Sequence, residues 1–288
     1  MIDLTKKNYP YLLLLPAVLI YGILFLLPTA MSFFFSMTWW SLTDWEFIGF
    51  ENFISFFNER PLRIGFRNTI FYAFMTSGLK VVFGLLLGAF LSSELKTKDI
   101  LRSVLVFPNL ISSVAVGITF SSLMHPSRGL INAGLALAGI NGPSWLGNPE
   151  LALFSVVLVD VWRGVGMATV IYIAGIMSIP RQYYEALMID GGNRFQAFRN
   201  ITLPLSRPAR NTVIILSLIG GLRSFDLIWV LTGGGPGFSS DVLASIVYKQ
   251  YAAGFFGLST AGNVIMFLAV ALIAFPLYKF ITRREVDM

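Results

Sequence analysis

The chain has 288 residues, 56% hydrophobic and only 12% charged, with a mean hydropathy of +0.73 and a formal net charge of +6. A soluble domain carries about 25% charged residues, so this composition excludes an ordinary water-soluble fold and makes the bilayer the solvent for most of the surface. The lack of cysteine excludes disulfide frameworks, cysteine zinc sites and thiol chemistry, and the single histidine, His125, excludes a multi-histidine metal site.

A spanning helix needs about 20 mostly apolar residues, and six stretches qualify. Lys6 and Lys7 precede an uncharged run, as in a secretory signal. That run is too long for a signal core and further spans follow, so it is expected to remain as a first span over about 10–36. The second span, about 68–93, opens on Asn68-Thr69 and contains one charge, Lys80. The third, about 103–124, lies between Arg102 and Arg128. His125, just beyond it, reads as a solvated loop side chain with no nucleophile beside it. Residues 129–149 are also uncharged, but the apolar core Leu130–Ile140 is only 11 residues long and Asn, Gly and Pro follow. That length predicts a short helix at the membrane surface. The fourth span, about 151–178, contains Asp160 and Arg163.

Residues Ser178 to Pro208 form a distinctive polar loop. Pro180 suits a helix's first turn and good helix formers follow through Met188. Asp190-Gly191-Gly192 is a turn signal, and a second short helix is predicted from about Asn193 to Asn200, stopped by Leu203-Pro204. The loop therefore reads as helix–turn–helix, with the mixed apolar and basic character of a docking surface. The fifth span, about 209–232, contains Arg223 and Asp226, with Pro208 near its start. Gly233-Gly234-Gly235-Pro236 follows. No Walker pattern G-x-x-x-x-G-K-[ST] occurs anywhere, so the glycines read as a turn leaving the membrane and the chain is not itself a P-loop ATPase. The sixth span is about 257–279.

With both termini inside, 13 of the 21 basic residues fall on cytoplasmic segments and 5 on outside loops, the remaining 3 lying within spans. This bias favours six spans with both ends cytoplasmic. The whole chain, 1–288, reads as one all-α transmembrane domain.

The loop carries a motif. Glu185-Ala186-Leu187, three residues, Gly191, nine residues, then Ile201-Thr202-Leu203-Pro204 resembles the E-A-A…G…I-x-L-P pattern of ATP-binding-cassette importer permeases, and the flanking Asp190 and Pro208 suit its carbohydrate-type version. Leu187 stands in place of the second alanine, and Gly192 in place of a common alanine. The likeness extends to Ile48–Ile54, to Asp160–Gly164 through Ile179-Pro180, and to Phe225–Pro236, a string similar to the first permease of the maltose and glycerol-phosphate type. The resemblance implies a type-I importer permease fold with a cytoplasmic coupling helix–turn–helix at 180–205. It implies that Glu185, Ala186, Leu187, Asp190, Gly191, Ile201, Leu203 and Pro204 form or support the contact with ATPase subunits. The implied partners are those ATPases, a second dissimilar permease, an extracytoplasmic solute-binding protein and membrane lipid, with no nucleic acid. ATP-Mg would be bound by the ATPase, leaving this chain without a cofactor and without covalent chemistry.

Ionised groups inside spans cost about 2.5–3.5 kcal/mol each on insertion scales and mark partners or cavities. Asp160 with Arg163, and Arg223 with Asp226, are three residues apart and suited to neutralise one another on one helix face. They are either structural ion pairs or part of a solute path, and Lys80 either snorkels or faces a neighbouring helix. Tyr172, Ser217, Trp229 and Asn263 are further candidates for a sugar path, since sugar rings have polar edges and apolar faces. The function expected is a permease that, with a sister permease, passes a sugar or oligosaccharide by alternating access driven by a partner ATPase. The alternatives are an ATPase-independent secondary transporter or channel, and a membrane-embedded enzyme, disfavoured by the absence of clustered carboxylates.

Overall fold

A computed structural model describes residues 14–41, 43–93 and 96–283. Lys6, Lys7 and Arg284, used in the charge count, lie outside the described residues. The described chain is mostly helical and falls into two compact units.

The first unit comprises the residues up to 57 with 247–264. Helix α1 (Leu15–Tyr21) passes through a π-turn (Gly22–Leu26) into α2 (Leu27–Phe35), a continuous apolar run long enough to cross a membrane. The π-turn sits just ahead of Pro28, and Leu27 N–H bonds five residues back to the Gly22 carbonyl. A proline ring clashes with the carbonyl four residues before it, and a wider turn relieves that clash without ending the helix. A short hairpin follows, β1 (Thr38–Trp40) antiparallel to β2 (Trp45–Phe47), a non-helical element that hydropathy alone did not anticipate. Asn52, on α3 (Glu51–Asn58), ties this hairpin down by donating to the Ser36 and Thr38 carbonyls at 2.9 and 2.8 Å.

The second unit, 58–246 with the residues from 265 on, holds the helices that position the candidate sites. Helix α4 (Arg60–Leu91) starts eight residues before the expected span, because Pro61 fits a helix's first turn. Asn68 and Thr69 therefore lie two turns inside the helix and do not open it. Arg102, on α5 (Lys98–Leu110), donates to the Leu91 carbonyl at 2.7 Å, placing a cation on the C-terminal end of α4.

The expected third span is broken. Helices α5 and α6 (Ser113–Leu123) meet at 97°. Ile111 and Ser112 are extended, with ψ of 140° and 138°, and Ser112 Oγ caps the new helix by accepting from Val114 N–H. The two halves serve different neighbours: α5 packs on α8 (Ala152–Met177) and α6 on α13 (Asp226–Thr232). Between them, α7 (Leu130–Leu137) has eight residues, too short to span, as expected. Asn132 anchors it, accepting from Trp145 Nε1 at 2.7 Å and donating to the Pro126 and Pro143 carbonyls. His125 braces the adjoining turn, its Nδ1 accepting from the Arg128 N–H at 3.3 Å.

After α8 come α9 (Arg181–Ile189), α10 (Arg194–Ala197), a π-turn (Phe198–Thr202) and α11 (Leu203–Leu205), leading into α12 (Arg207–Leu222). The fifth span is broken too, α12 meeting α13 at 49° across Arg223–Phe225. Helices α14 (Leu243–Ala252) and α15 (Phe256–Thr282) are the last of the described elements. Among the described residues, four helical stretches are long and apolar enough to cross a membrane, and six if each bent pair counts as one span.

Candidate functional site

The α9–α11 segment is an ordered device. At the end of α9, the Gly192 N–H bonds the Leu187 carbonyl at 2.8 Å and the Gly191 N–H bonds the Met188 carbonyl at 3.1 Å. This is a Schellman turn, and Gly191 makes it possible by adopting φ +77°, where a side chain would be strained. Asn193 and Gln196 then form a reciprocal capping box that starts α10. The expected stop at Leu203-Pro204 does not occur. Leu203 N–H reaches five residues back to the Phe198 carbonyl, the same π-turn solution used before Pro28, so helical structure runs on to Leu205.

Ile201 and Thr202 are buried and anchor the segment, with the Tyr184 hydroxyl 3.0 Å from Thr202 Oγ1. Leu203 and Pro204 are half-buried. The outer side is bare: Ile189 is 86% exposed, Phe195 67% and Met188 65%, in a segment that lies between two candidate spans. Glu185, Ala186, Asp190 and Gly191 share that exposure, and Glu185 makes no ion pair or side-chain hydrogen bond among the described residues. The two departures from the family pattern prove to be one packing unit. A Cβ at Gly192 would lie 2.5 Å from Leu187 Cγ, so the larger residue at 187 occupies space that a glycine at 192 leaves free.

The intramembrane charges separate into two groups. Asp160 does not pair with Arg163. It accepts from Lys80 Nζ at 2.6 Å, across the α4–α8 seam, with both side chains largely buried. Lys80 reaches Asp160 by lying over Gly164, where a Cβ would come within 2.7 Å of Lys80 Cε. The seam continues through Gly84 against Ala168 and Gly88 against Tyr172, small residues at four-residue spacing that bring the backbones close. Paired positions rise together along the two helices, so α4 and α8 run parallel. Arg163 turns elsewhere, to the Ile111 carbonyl at 3.4 Å, a group left free by the break between α5 and α6. Tyr172 is fully buried in the seam.

The break between α12 and α13 contrasts with this. Arg223 and Asp226 are exposed and form no ion pair with each other. The reason is geometric: the three-residue interruption takes them off a common helical face. Phe225 stacks on Trp229 at 5.7 Å and 20°, so two charged groups and an aromatic pair gather at one helix discontinuity. Ser224, in the same break, donates to the Tyr72 hydroxyl of α4 at 3.5 Å. Ser217 is half-buried one and a half turns away, and Asn263, in the first unit, is exposed. No group of three or more His, Asp or Glu able to hold a metal occurs among the described residues.

Beyond the break, the Gly233–Asp241 loop is tightly built, and sequence reading saw only a turn. Asn68 Nδ2 donates to the Ser239 and Asp241 carbonyls at 2.8 and 3.0 Å, and Thr69 Oγ1 accepts from the Leu243 N–H at 2.7 Å. A polar pair two turns inside an otherwise apolar helix was the available signal.

Residues 80–286 match the family described as the inner membrane component of binding-protein-dependent transport systems. The trehalose/maltose transport system permease protein MalF of Thermococcus litoralis is 31% identical over 90% of this chain and 89% of its own. The sn-glycerol-3-phosphate transport system permease protein UgpA of Yersinia enterocolitica is 30% identical over 96% of this chain and 94% of its own. Among solved structures, a bacterial ABC transporter involved in import of the acidic polysaccharide alginate shares the fold, with a TM-score of 0.81 at 23% identity over 96% of each chain. The chain belongs to the inner-membrane components of binding-protein-dependent transport systems and is a multi-pass permease of an ATP-binding-cassette importer.

Proposed function

We propose that this permease imports a sugar or oligosaccharide, that its 180–205 segment docks on an ATPase subunit, and that the α12–α13 break lies on the solute path. The observation that carries the docking is the rigid helix–turn–helix with Met188, Ile189 and Phe195 bare outside the membrane. Burying each such side chain is worth about 1.5–3 kcal/mol, so an ordered loop holding three of them in water is matched to a partner's groove. Glu185 and Asp190 would meet basic groups at its rim.

The solute class rests on the relatives' transport of trehalose, maltose and glycerol phosphate. The chemistry of the break agrees with it. Arg223 and Asp226 offer hydrogen bonds to hydroxyls, and the Phe225–Trp229 pair offers a flat apolar surface to a sugar ring. ATP-Mg belongs to the partner, and this chain makes or breaks no covalent bond. Its Arg181, Arg194, Arg199, Arg207 and Arg210 favour a cytoplasmic docking segment, with both termini on the same side. ATP binding closes the ATPases, the docked segment moves, and α8 and α12, which enter and leave it, tilt to open the path outward.

Purification from native membranes in mild detergent tests this. A P-loop ATPase and a second permease should co-purify with the wild-type chain. Gly191→Val forces a β-branched residue to φ near +77° and should release the ATPase while membrane insertion persists. Wild-type uptake by that variant would sink the docking assignment.

A further inference from the structure

A row of cations on α4 has no use in the machinery described so far. Arg60, Arg63 and Arg67 are all exposed, and none makes an ion pair or side-chain hydrogen bond among the described residues. At about 100° per residue they fall within about 60° of the helix circumference, so they form one stripe. The opposite side of the same turns is packed: Leu62 is buried, and Gly65 lies against Ile246. With Asn68 and Thr69 holding the 239–243 backbone, the stripe stands on a braced ledge.

Its place follows from the seam. Because α4 and α8 run parallel and α8 ends at the docking segment, the N-terminal end of α4 lies on the opposite membrane face. The apolar part of α4, Asn68–Leu91, contains one charge and is 24 residues, about 36 Å, which already covers a hydrocarbon core of about 30 Å. Residues 60–67 carry the helix about 12 Å further, past a headgroup layer about 5–8 Å deep. Glu59 is the one acidic neighbour in the adjoining sequence, and it leaves the 59–67 segment at net +2.

We infer that Arg60, Arg63 and Arg67 form an electrostatic dock for an acidic patch on the soluble solute-binding protein. This rests on the importer reading, which puts that protein on the face opposite the ATPase. An outward surface with a net positive charge is suited to steering a soluble partner, acting mainly on encounter rate and therefore sensitive to salt.

The test uses the complete transporter, permease pair and ATPases together, in phosphatidylcholine nanodiscs, with ATP hydrolysis read while its binding protein is titrated. In about 0.05 M salt, the triple variant R60E/R63E/R67E should raise the half-saturating concentration of binding protein about tenfold or more, with unchanged maximal and basal rates. The wild type should weaken similarly at about 0.5 M salt, and the variant should be nearly insensitive to salt. The neutral set R60Q/R63Q/R67Q, milder for assembly, should fall between. Unchanged half-saturation, or a defect in basal hydrolysis without binding protein, overturns the dock and points to the sister permease as the stripe's neighbour. A defect that appears only when phosphatidylglycerol replaces phosphatidylcholine overturns it in favour of lipid phosphates. No stimulation by the binding protein in the wild-type assembly removes the importer reading itself, and the dock with it.

Discussion

The α4–α8 seam and the α12–α13 break each carry an acid and a base three residues apart in an apolar stretch, and they resolve that cost in opposite ways. In the seam, Asp160 finds its cation on another helix, Lys80 crosses a glycine to reach it, and small residues close the rest of the contact. In the break, Arg223 and Asp226 stay apart and exposed, beside a stacked aromatic pair and the free ends of two helices. Compensated charge in a packed seam makes a strut. Uncompensated charge at a helix discontinuity stays exposed. Spacing in the sequence does not distinguish them; what sits across the helix does.

The largest expected effect comes from breaking the strut. Asp160→Ala leaves the Lys80 ammonium in a closed seam and should cost about 3–5 kcal/mol, read as a lowered thermal midpoint of the purified complex. The double variant Lys80→Met with Asp160→Leu should recover most of that loss, because no charge remains to be compensated. Equal loss in the single and double variants would show that the pair is not what holds the seam. Gly164→Val should come next, at about 1–3 kcal/mol, since its side chain occupies the space Lys80 crosses.

The break should respond in function instead of stability. Arg223→Ala is expected to lower solute uptake about tenfold, equivalent to about 1.4 kcal/mol of transition-state binding, while the thermal midpoint moves by less than about 2 °C. If Arg223→Ala unfolded the protein as readily as Asp160→Ala, the distinction between strut and path would collapse.

Much of this was legible in advance, and the misses have physical causes. The six apolar stretches, the short helix at 130–137 and the helix–turn–helix at 181–197 follow from run lengths, Pro180 and the Gly191 turn. The breaks were missed because hydropathy counts apolar residues without regard to direction. The 97° bend needs two extended residues at Ile111-Ser112, and apolar content does not encode them. Pro204 misled because a proline is ordinarily a stop, whereas a π-turn lets helix pass through it, as at Pro28. The charge partners were misassigned because an i,i+3 rule sees only one helix, and Lys80 lies 80 positions from Asp160. Of the expected path residues, Arg223, Asp226 and Trp229 gather at one place. Asp160 and Tyr172 lie in the seam, and Arg163 braces the α5–α6 bend.

The smallest expected effect tests whether strut and break are linked. Tyr72 lies on α4, is fully buried, and receives the Ser224 hydroxyl from inside the break at 3.5 Å, while Ala73 beside it packs against Gly221 at the end of α12. Helix α4 thus packs closely on both α8 and α12, and the Ser224–Tyr72 bond is its long hydrogen bond into the break. Since α8 and α12 are the two helices joined to the α9–α11 segment, movement there should strain the long Ser224–Tyr72 bond before the packed faces. Tyr72→Phe removes one hydroxyl and should cost only about 0.5–1.5 kcal/mol. Its signature should be kinetic, with basal ATP hydrolysis rising relative to hydrolysis stimulated by the binding protein. Ser224→Ala should reproduce the part of that change carried by the Ser224–Tyr72 bond, and the double variant should add nothing to Tyr72→Phe, which already removes that bond together with the hydroxyl's contact to Asp160. Additive effects, or a ratio of stimulated to basal hydrolysis that stays at the wild-type value, would mean that α4 holds the break by packing alone and that the hinge lies elsewhere.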